Sequence, residues 1–218
     1  MRVLMIDDHV MFLQGLKSLL TVLAPEFSVD TADNIEMGVE LSRVNRYGLV
    51  LLDWHFAEGT GDTAMARLRS SGCTARVVIL SGETSPKLIR EVVELGAAGF
   101  ISKQYSSETM LKALRMVLNG GIYLPADVLR DVAGTAAAIP RQTSDLVDIG
   151  ERFAELTPRQ VDVYRAAARG LPNKMIAREL GIAESTVKSH LAVVYGVLGV
   201  QNRTQAAFQA SREGFRIG

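Results

Sequence analysis

The chain has 218 residues, 48% hydrophobic and 22% charged, with 24 basic and 24 acidic side chains. That length exceeds one ordinary domain and that apolar share excludes a disordered or fibrous chain, so two domains with packed cores are expected. The balanced total hides an asymmetry: residues 1–150 hold 14 basic and 18 acidic side chains, a balance of −4, and residues 151–218 hold 10 and 6, a balance of +4. The C-terminal part is therefore the one suited to an anionic partner. Cys73 is the single cysteine, which excludes an internal disulfide, and no apolar run approaches the roughly 20 residues that span a bilayer. Nothing resembling a signal peptide precedes Asp7-Asp8, and a cytoplasmic location is expected.

From residue 1 to about 120, short apolar runs alternate with longer segments of helical period, the βαβ pattern of a doubly wound parallel sheet. Five strands are predicted, at Val3 to Ile6, Phe27 to Thr31, Leu49 to Asp53, Val77 to Ser81 and Gly99 to Ser102. Helices follow them, among them Val10 to Leu23 and Glu108 to Leu118, with Gly96 and Gly120-Gly121 at helix stops. His9 is read as opening the first helix beside the acidic pair.

Three of these strands end in ionisable residues: Asp7-Asp8 after the first, Asp53 on the third and Lys103 after the fifth. Open α/β sheets bind ligands outside the carboxyl ends of their strands, so three carboxylates and an ammonium should converge there. Such a cluster is unfavourable unless a cation neutralises it. Mg²⁺ is the natural candidate, because it takes a few carboxylates together with waters and phosphate oxygens, and a carboxylate in this setting is a nucleophile for a phosphoryl group.

After Leu124-Pro125 the periodicity fades. A short helix is expected around Asp127 to Val132, and Gly134 to Ser144, rich in Ala and Thr and interrupted by Pro140, reads as a linker. From Leu156 the pattern becomes all helical. Thr157-Pro158-Arg159-Gln160 is a capping box with proline at the first helical position, and Gly170 ends that helix. A short helix from Lys174 to Leu180, capped by Asn173 and stopped by Gly181, precedes a longer one from Glu184 through Val187, Leu191, Val194 and Leu198. Two helices joined by Gly181-Ile182-Ala183 make a helix-turn-helix, whose second helix enters the major groove of duplex DNA. Lys188, Ser189 and His190 lie in its groove-facing stretch, and Arg203 and Thr204, opening a fourth helix, are expected to add backbone contacts.

With these residues in view, the chain resembles two-component response regulators of the subfamily with a LuxR-type DNA-binding domain. The resemblance covers essentially the whole length. Asp7-Asp8, Asp53, Ser81, Phe100 and Lys103 match the receiver, and Asn173-Lys174-Met175-Ile176-Ala177, Thr186-Val187-Lys188-Ser189-His190 and Asn202-Arg203-Thr204-Gln205-Ala206 match the second half. It implies a flavodoxin-like receiver at 1–124, a linker at 125–150 and a four-helix DNA-binding domain at 151–218. It implies that Asp53 accepts a phosphoryl group from a histidine kinase. Asp8 and the backbone carbonyl of His55 would ligate Mg²⁺, and Asp7 would act through a coordinated water. Lys103 would bind phosphoryl oxygens, Ser81 would hydrogen-bond the new group, and Phe100 would turn inward, with homodimerisation and promoter binding as the readout. Lys174 and Thr186 join the expected DNA-facing set. No independent catalytic constellation appears, so the chain is not expected to be an enzyme beyond its own phosphorylation and dephosphorylation.

Several positions depart from the family. Trp54-His55-Phe56-Ala57 stands where Met-Pro usually follows the aspartate, Gln104 follows Lys103, and Ala183 occupies a position where many relatives have a capping serine. The unusual loop leaves open a phosphorylation-independent regulator whose receiver is a dimerisation or ligand-binding module.

Overall fold

A computed structural model describes residues 1–57, 59–125 and 149–213. The expected helix at 127–132 and the stretch 134–144 lie outside them. Two compact units, Met1–Leu118 and Asn119–Gly218, make up the chain.

The first unit is built on five strands: β1 (Arg2–Ile6), β2 (Ser28–Ala32), β3 (Leu49–Asp53), β6 (Arg76–Ser81) and β7 (Gly99–Ser102). All pair in parallel, in the order β2-β1-β3-β6-β7. Every residue of β3 and β7 is buried. A strand covered on both faces must be apolar throughout, which is why these segments read as continuous hydrophobic runs. The helices are α1 (Val10–Leu23), α2 (Ile35–Val44), α3 (Gly61–Ser70), α4 (Pro86–Glu94) and α5 (Ser107–Leu118). α1 touches α5 and α2 touches α3. Asn34 caps α2 by accepting the Met37 N–H at 2.8 Å. Ser85 caps α4 by accepting the Leu88 N–H, with Pro86 opening that helix.

Strand β2 starts one residue later than the sequence suggests, because the Phe27 N–H closes the turn after α1 on the Ala24 carbonyl. The sequence reading also missed a two-strand hairpin after the sheet edge, β4 (His55–Phe56) paired antiparallel with β5 (Gly59–Thr60). The Trp54 N–H bonds the Leu80 carbonyl and the Gly61 N–H bonds the Trp54 carbonyl, so both ends of the hairpin are tied. Trp54 is buried against Gly61, where a Cβ would collide with Cε3 and stand 3.0 Å from Cδ2 and Cζ3.

In the second unit are α6 (Ile149–Arg152), α7 (Pro158–Ala168), α8 (Asn173–Leu180), α9 (Glu184–Leu198) and α10 (Arg203–Glu213). The capping box is present: Thr157 Oγ1 accepts the Gln160 N–H and Gln160 Oε1 accepts the Thr157 N–H at 2.8 Å. Gly181 and Gly199 end α8 and α9 in the left-handed region, at φ 63° and 67°, where glycine is the residue without a steric penalty. Among the described residues no helix is long and apolar enough to cross a membrane.

The indole beneath Gly61 is rigid and enclosed, so Gly61→Ala should destabilise the first unit by about 1–3 kcal/mol. Denaturant unfolding followed by the emission of Trp54, the chain's one tryptophan, checks this; unchanged stability and emission would contradict the packing described.

Candidate functional site

The carboxyl edge of the sheet gathers residues from three strand ends. Asp7 follows β1, Asp53 closes β3 and Lys103 follows β7. Lys103 Nζ stands 2.7 Å from Asp7 Oδ2 and 2.8 Å from Asp53 Oδ2. Asp7 and Asp53 are at most 1% exposed. Their Oδ2 atoms meet Lys103 as ion pairs and receive no well-directed hydrogen bond, and Asp8 Oδ1 is likewise buried without one. A buried carboxylate in this condition is costly, and further positive charge is what would relieve it.

Asp8 is oriented from the hairpin: the Ala57 N–H donates to its Oδ2 at 2.9 Å. No pattern in the sequence announces that bond. His9 opens the first helix as expected and borders the cluster with an exposed side chain. Its Nδ1 is 2.8 Å from Asp8 Oδ1 and 3.1 Å from Asp7 Oδ1. A cavity of about 260 Å³ above Asp53 is lined by His9, Phe12, Asp53, His55, Gly82 and Lys103. His55 Nε2 faces Glu83 Oε2 at 3.8 Å.

Burial pushes the Asp53 carboxyl above its ordinary 3.8; the Lys103 ammonium pulls it back, the Asp7 charge raises it again, and the His55 N–H favours the ionised form. Ser81 is fully buried, with Oγ accepting the Glu83 N–H at 3.0 Å. Ser102, its register partner, does the same for the Gln104 N–H at 3.2 Å. Phe100 has no exposed surface.

The second unit presents the helix-turn-helix as α8 and α9. Val187 and Leu191 pack with Ile176 of α8, as the apolar spacing implies. Val194 instead joins Leu156, Tyr164 and Leu198 in a second cluster, because α9 is long enough to serve two cores. Lys174, Lys188 and Ser189 are exposed, and Thr186 and His190 are half-buried. Lys188 Nζ lies 3.7 Å from Glu184 Oε1, an exposed pair worth about 0–1 kcal/mol that leaves the ammonium available.

Three expectations here need correction. Asn173 does not cap α8; the helix follows Pro172 with no side-chain cap, and Asn173 Oδ1 accepts a bond from Arg203 Nη2 at 2.6 Å. Arg203 also donates to the Leu171 carbonyl, so its guanidinium is committed within the unit. Thr204 is 1% exposed, too deep to offer its hydroxyl to a phosphate. Ala183 does leave α9 without a side-chain cap, as its sequence implies.

Residues 3–115 match the response regulator receiver domain, and residues 154–210 match the luxR family of bacterial regulatory proteins. The chain is similar to the nitrate/nitrite response regulator protein NarL of Escherichia coli, 34% identical over 212 residues that cover 97% of this chain and 95% of that protein. It is 31% identical over 210 residues to the glycerol metabolism activator of Pseudomonas putida, covering 96% and 94%. Among solved structures, RcsB from Salmonella enterica bound to a promoter shares the fold at TM-score 0.54 and 20% identity, covering 97% of this chain and 98% of that chain. A LuxR family DNA-binding response regulator from Silicibacter pomeroyi gives TM-score 0.50 and 30% identity, covering 57% of this chain and 96% of that chain.

A carboxyl whose folded-state value is raised weakens the fold as pH climbs from its unfolded value through its folded one. Asp53→Asn should therefore raise the unfolding midpoint in metal-free buffer at neutral pH, and the gain should shrink as pH falls through the raised folded value and vanish only well below 3.8, where Asp53 is protonated in both states. Thermal unfolding of both proteins across that range checks the sign; a destabilised variant at neutral pH would contradict it.

Proposed function

The chain belongs to the response regulators that join a receiver domain to a luxR-family DNA-binding domain, and on that footing we propose that Asp53 is the phosphoryl acceptor through which a histidine kinase controls its action as a transcription regulator. The observation that carries this is the convergence of Asp7, Asp8, Asp53 and Lys103 at one sheet edge, beneath a cavity that Asp53 itself lines. An Asp53 oxygen attacks the phosphorus of the kinase's phosphohistidine, the P–N bond breaks with its electron pair leaving on the imidazole, and an acyl phosphate forms. Lys103, already within ion-pair distance of Asp53, keeps its proton and pairs its ammonium with the phosphoryl oxygens. Ser81, whose Oγ already accepts the Glu83 N–H, donates its own hydrogen to the new group.

Mg²⁺ fits the donor set, which is rich in carboxylate oxygens, three of them buried without a directed hydrogen bond. Asp8, Asp53 and the backbone carbonyl of His55 would hold the ion, with Asp7 acting through a water. When bound, it neutralises the carboxylates and the incoming phosphoryl oxygens.

The reading assigns 1–124 to the receiver, 125–150 to a linker and 151–218 to the DNA-binding domain. The family matches at 3–115 and 154–210 support that division, whereas the compact units meet at Leu118 and Asn119, and Ile149, at the linker's end, is already buried in the core of the second unit. Lys174, Thr186, Lys188, Ser189 and His190 form the DNA-facing set on α8 and α9, with phosphorylation favouring a homodimer on promoter half-sites about one helical turn, roughly 10 bp, apart or a multiple of it. Exposure of Lys174, Lys188 and Ser189 and the +4 balance of residues 151–218 support it. Arg203 and Thr204 are withdrawn from the set.

Incubation with Mg²⁺ and a small phosphodonor should give wild-type protein one phosphoryl adduct by intact mass and a dimer by light scattering. Asp53→Asn should give neither; an equal adduct on the variant, or none on wild type beside a reactive control receiver, would sink the proposal. Lys188→Ala should weaken duplex binding and flatten the log–log salt dependence by about 0.9, the contribution of one neutralised phosphate. An unchanged slope would remove Lys188 from the phosphate contacts.

A further inference from the structure

The pocket holds one donor that a purely oxygen-based Mg²⁺ site does not call for. His9 Nδ1 stands 2.8 Å from Asp8 Oδ1, 3.1 Å from Asp7 Oδ1 and 3.7 Å from Asp53 Oδ2. One donor atom from each of these four residues lies within 4.8 Å of all the others. The residue is held from its backbone as well: its N–H donates to Asp7 Oδ1 at 2.9 Å, which keeps its main chain beside the cluster. The carboxylates beside it are primed for a cation, since Asp7 and Asp53 are at most 1% exposed and their Oδ2 atoms are met by Lys103 without a directed hydrogen bond.

Ligand type then separates the candidate ions. Mg²⁺ is a hard cation that takes oxygen and gains little from an imidazole, whereas Co²⁺, Ni²⁺ and Zn²⁺ bind imidazole nitrogen well and outrank the earlier divalent ions at mixed nitrogen and oxygen sites. We propose that His9 Nδ1 is a further metal ligand of the receiver pocket, making the pocket a site for imidazole-binding transition-metal dications in competition with Mg²⁺. This rests on the reading of the acidic cluster as a divalent-cation site. His9 also lines the cavity above Asp53, so an imidazole engaged on such an ion and an arriving phosphoryl group draw on the same space. The identity of the bound ion, and not only its presence, then sets how accessible Asp53 is.

The test uses the metal-stripped full chain, titrated calorimetrically with Mg²⁺, Co²⁺ and Ni²⁺, with quenching of Trp54 as a second readout that needs no phosphorylation. Wild type is compared with His9→Ala, His9→Asn and Asp53→Asn. The His9 side chain is 67% exposed, so its replacement leaves the core intact. Both His9 variants should lose about tenfold or more in Ni²⁺ and Co²⁺ affinity and shift by less than about twofold for Mg²⁺, and excess Mg²⁺ should displace Ni²⁺ from wild type. Transition-metal affinity that is the same with and without His9, or Ni²⁺ that Mg²⁺ cannot displace, overturns the inference and leaves the Mg²⁺ pocket standing. Absence of binding by every ion, or binding indifferent to Asp53→Asn, overturns both.

Discussion

Among the described residues a single ammonium stands against three carboxylates at the sheet edge, and the first unit is arranged around that imbalance. Lys103 follows β7, Asp53 ends β3 and Asp7-Asp8 follow β1, so the ion pairs tie together strands that are not all neighbours in the sheet. Because Asp7 and Asp53 are buried, water cannot dilute the excess negative charge, and the sheet edge keeps an appetite for one more cation. The same excess makes the site responsive, since any event that adds or removes charge there changes the position Lys103 prefers. A neutral or fully paired edge would be more stable and would have nothing to report.

Most of this was legible in the residues. The five parallel strands announced themselves as apolar runs because both faces are covered, and the three ionisable ends followed from where those runs stop. Phe27 could not be placed correctly because the Ala24 carbonyl competes for its N–H, a choice that only the folded turn reveals. The hairpin at His55–Phe56 and Gly59–Thr60 was invisible for a different reason: strands of two residues carry no period, and what holds them is the Trp54 carbonyl and the indole packing beneath Gly61. His9 does open the first helix beside the acidic pair, and what its sequence position could not give is the direction of the imidazole, which turns its Nδ1 to Asp7 and Asp8.

The second unit shows how chemistry-bearing residues can be recognised correctly and still be assigned the wrong task. Asn173, Arg203 and Thr204 were polar residues at helix openings, where a cap or a phosphate contact is the ordinary expectation. The structure uses the first two for each other and buries the third. Lys188 and Ser189 escape that fate because the face of α9 that packs is already filled by Val187 and Leu191.

Arg203 is best understood as a strut. From the first turn of α10 it holds the Leu171 carbonyl with one nitrogen and Asn173 Oδ1 with another, fixing the start of α8 to a segment some thirty residues further along the chain. A planar fork with several donors can span two acceptors at once, and the lone nitrogen of a lysine cannot reproduce that geometry. Homologues or designed variants that keep the positive charge here but change the side chain would preserve the electrostatic total and lose the brace. Such chains would look conservative on paper and behave as though a bolt had been drawn from the hinge of the helix pair.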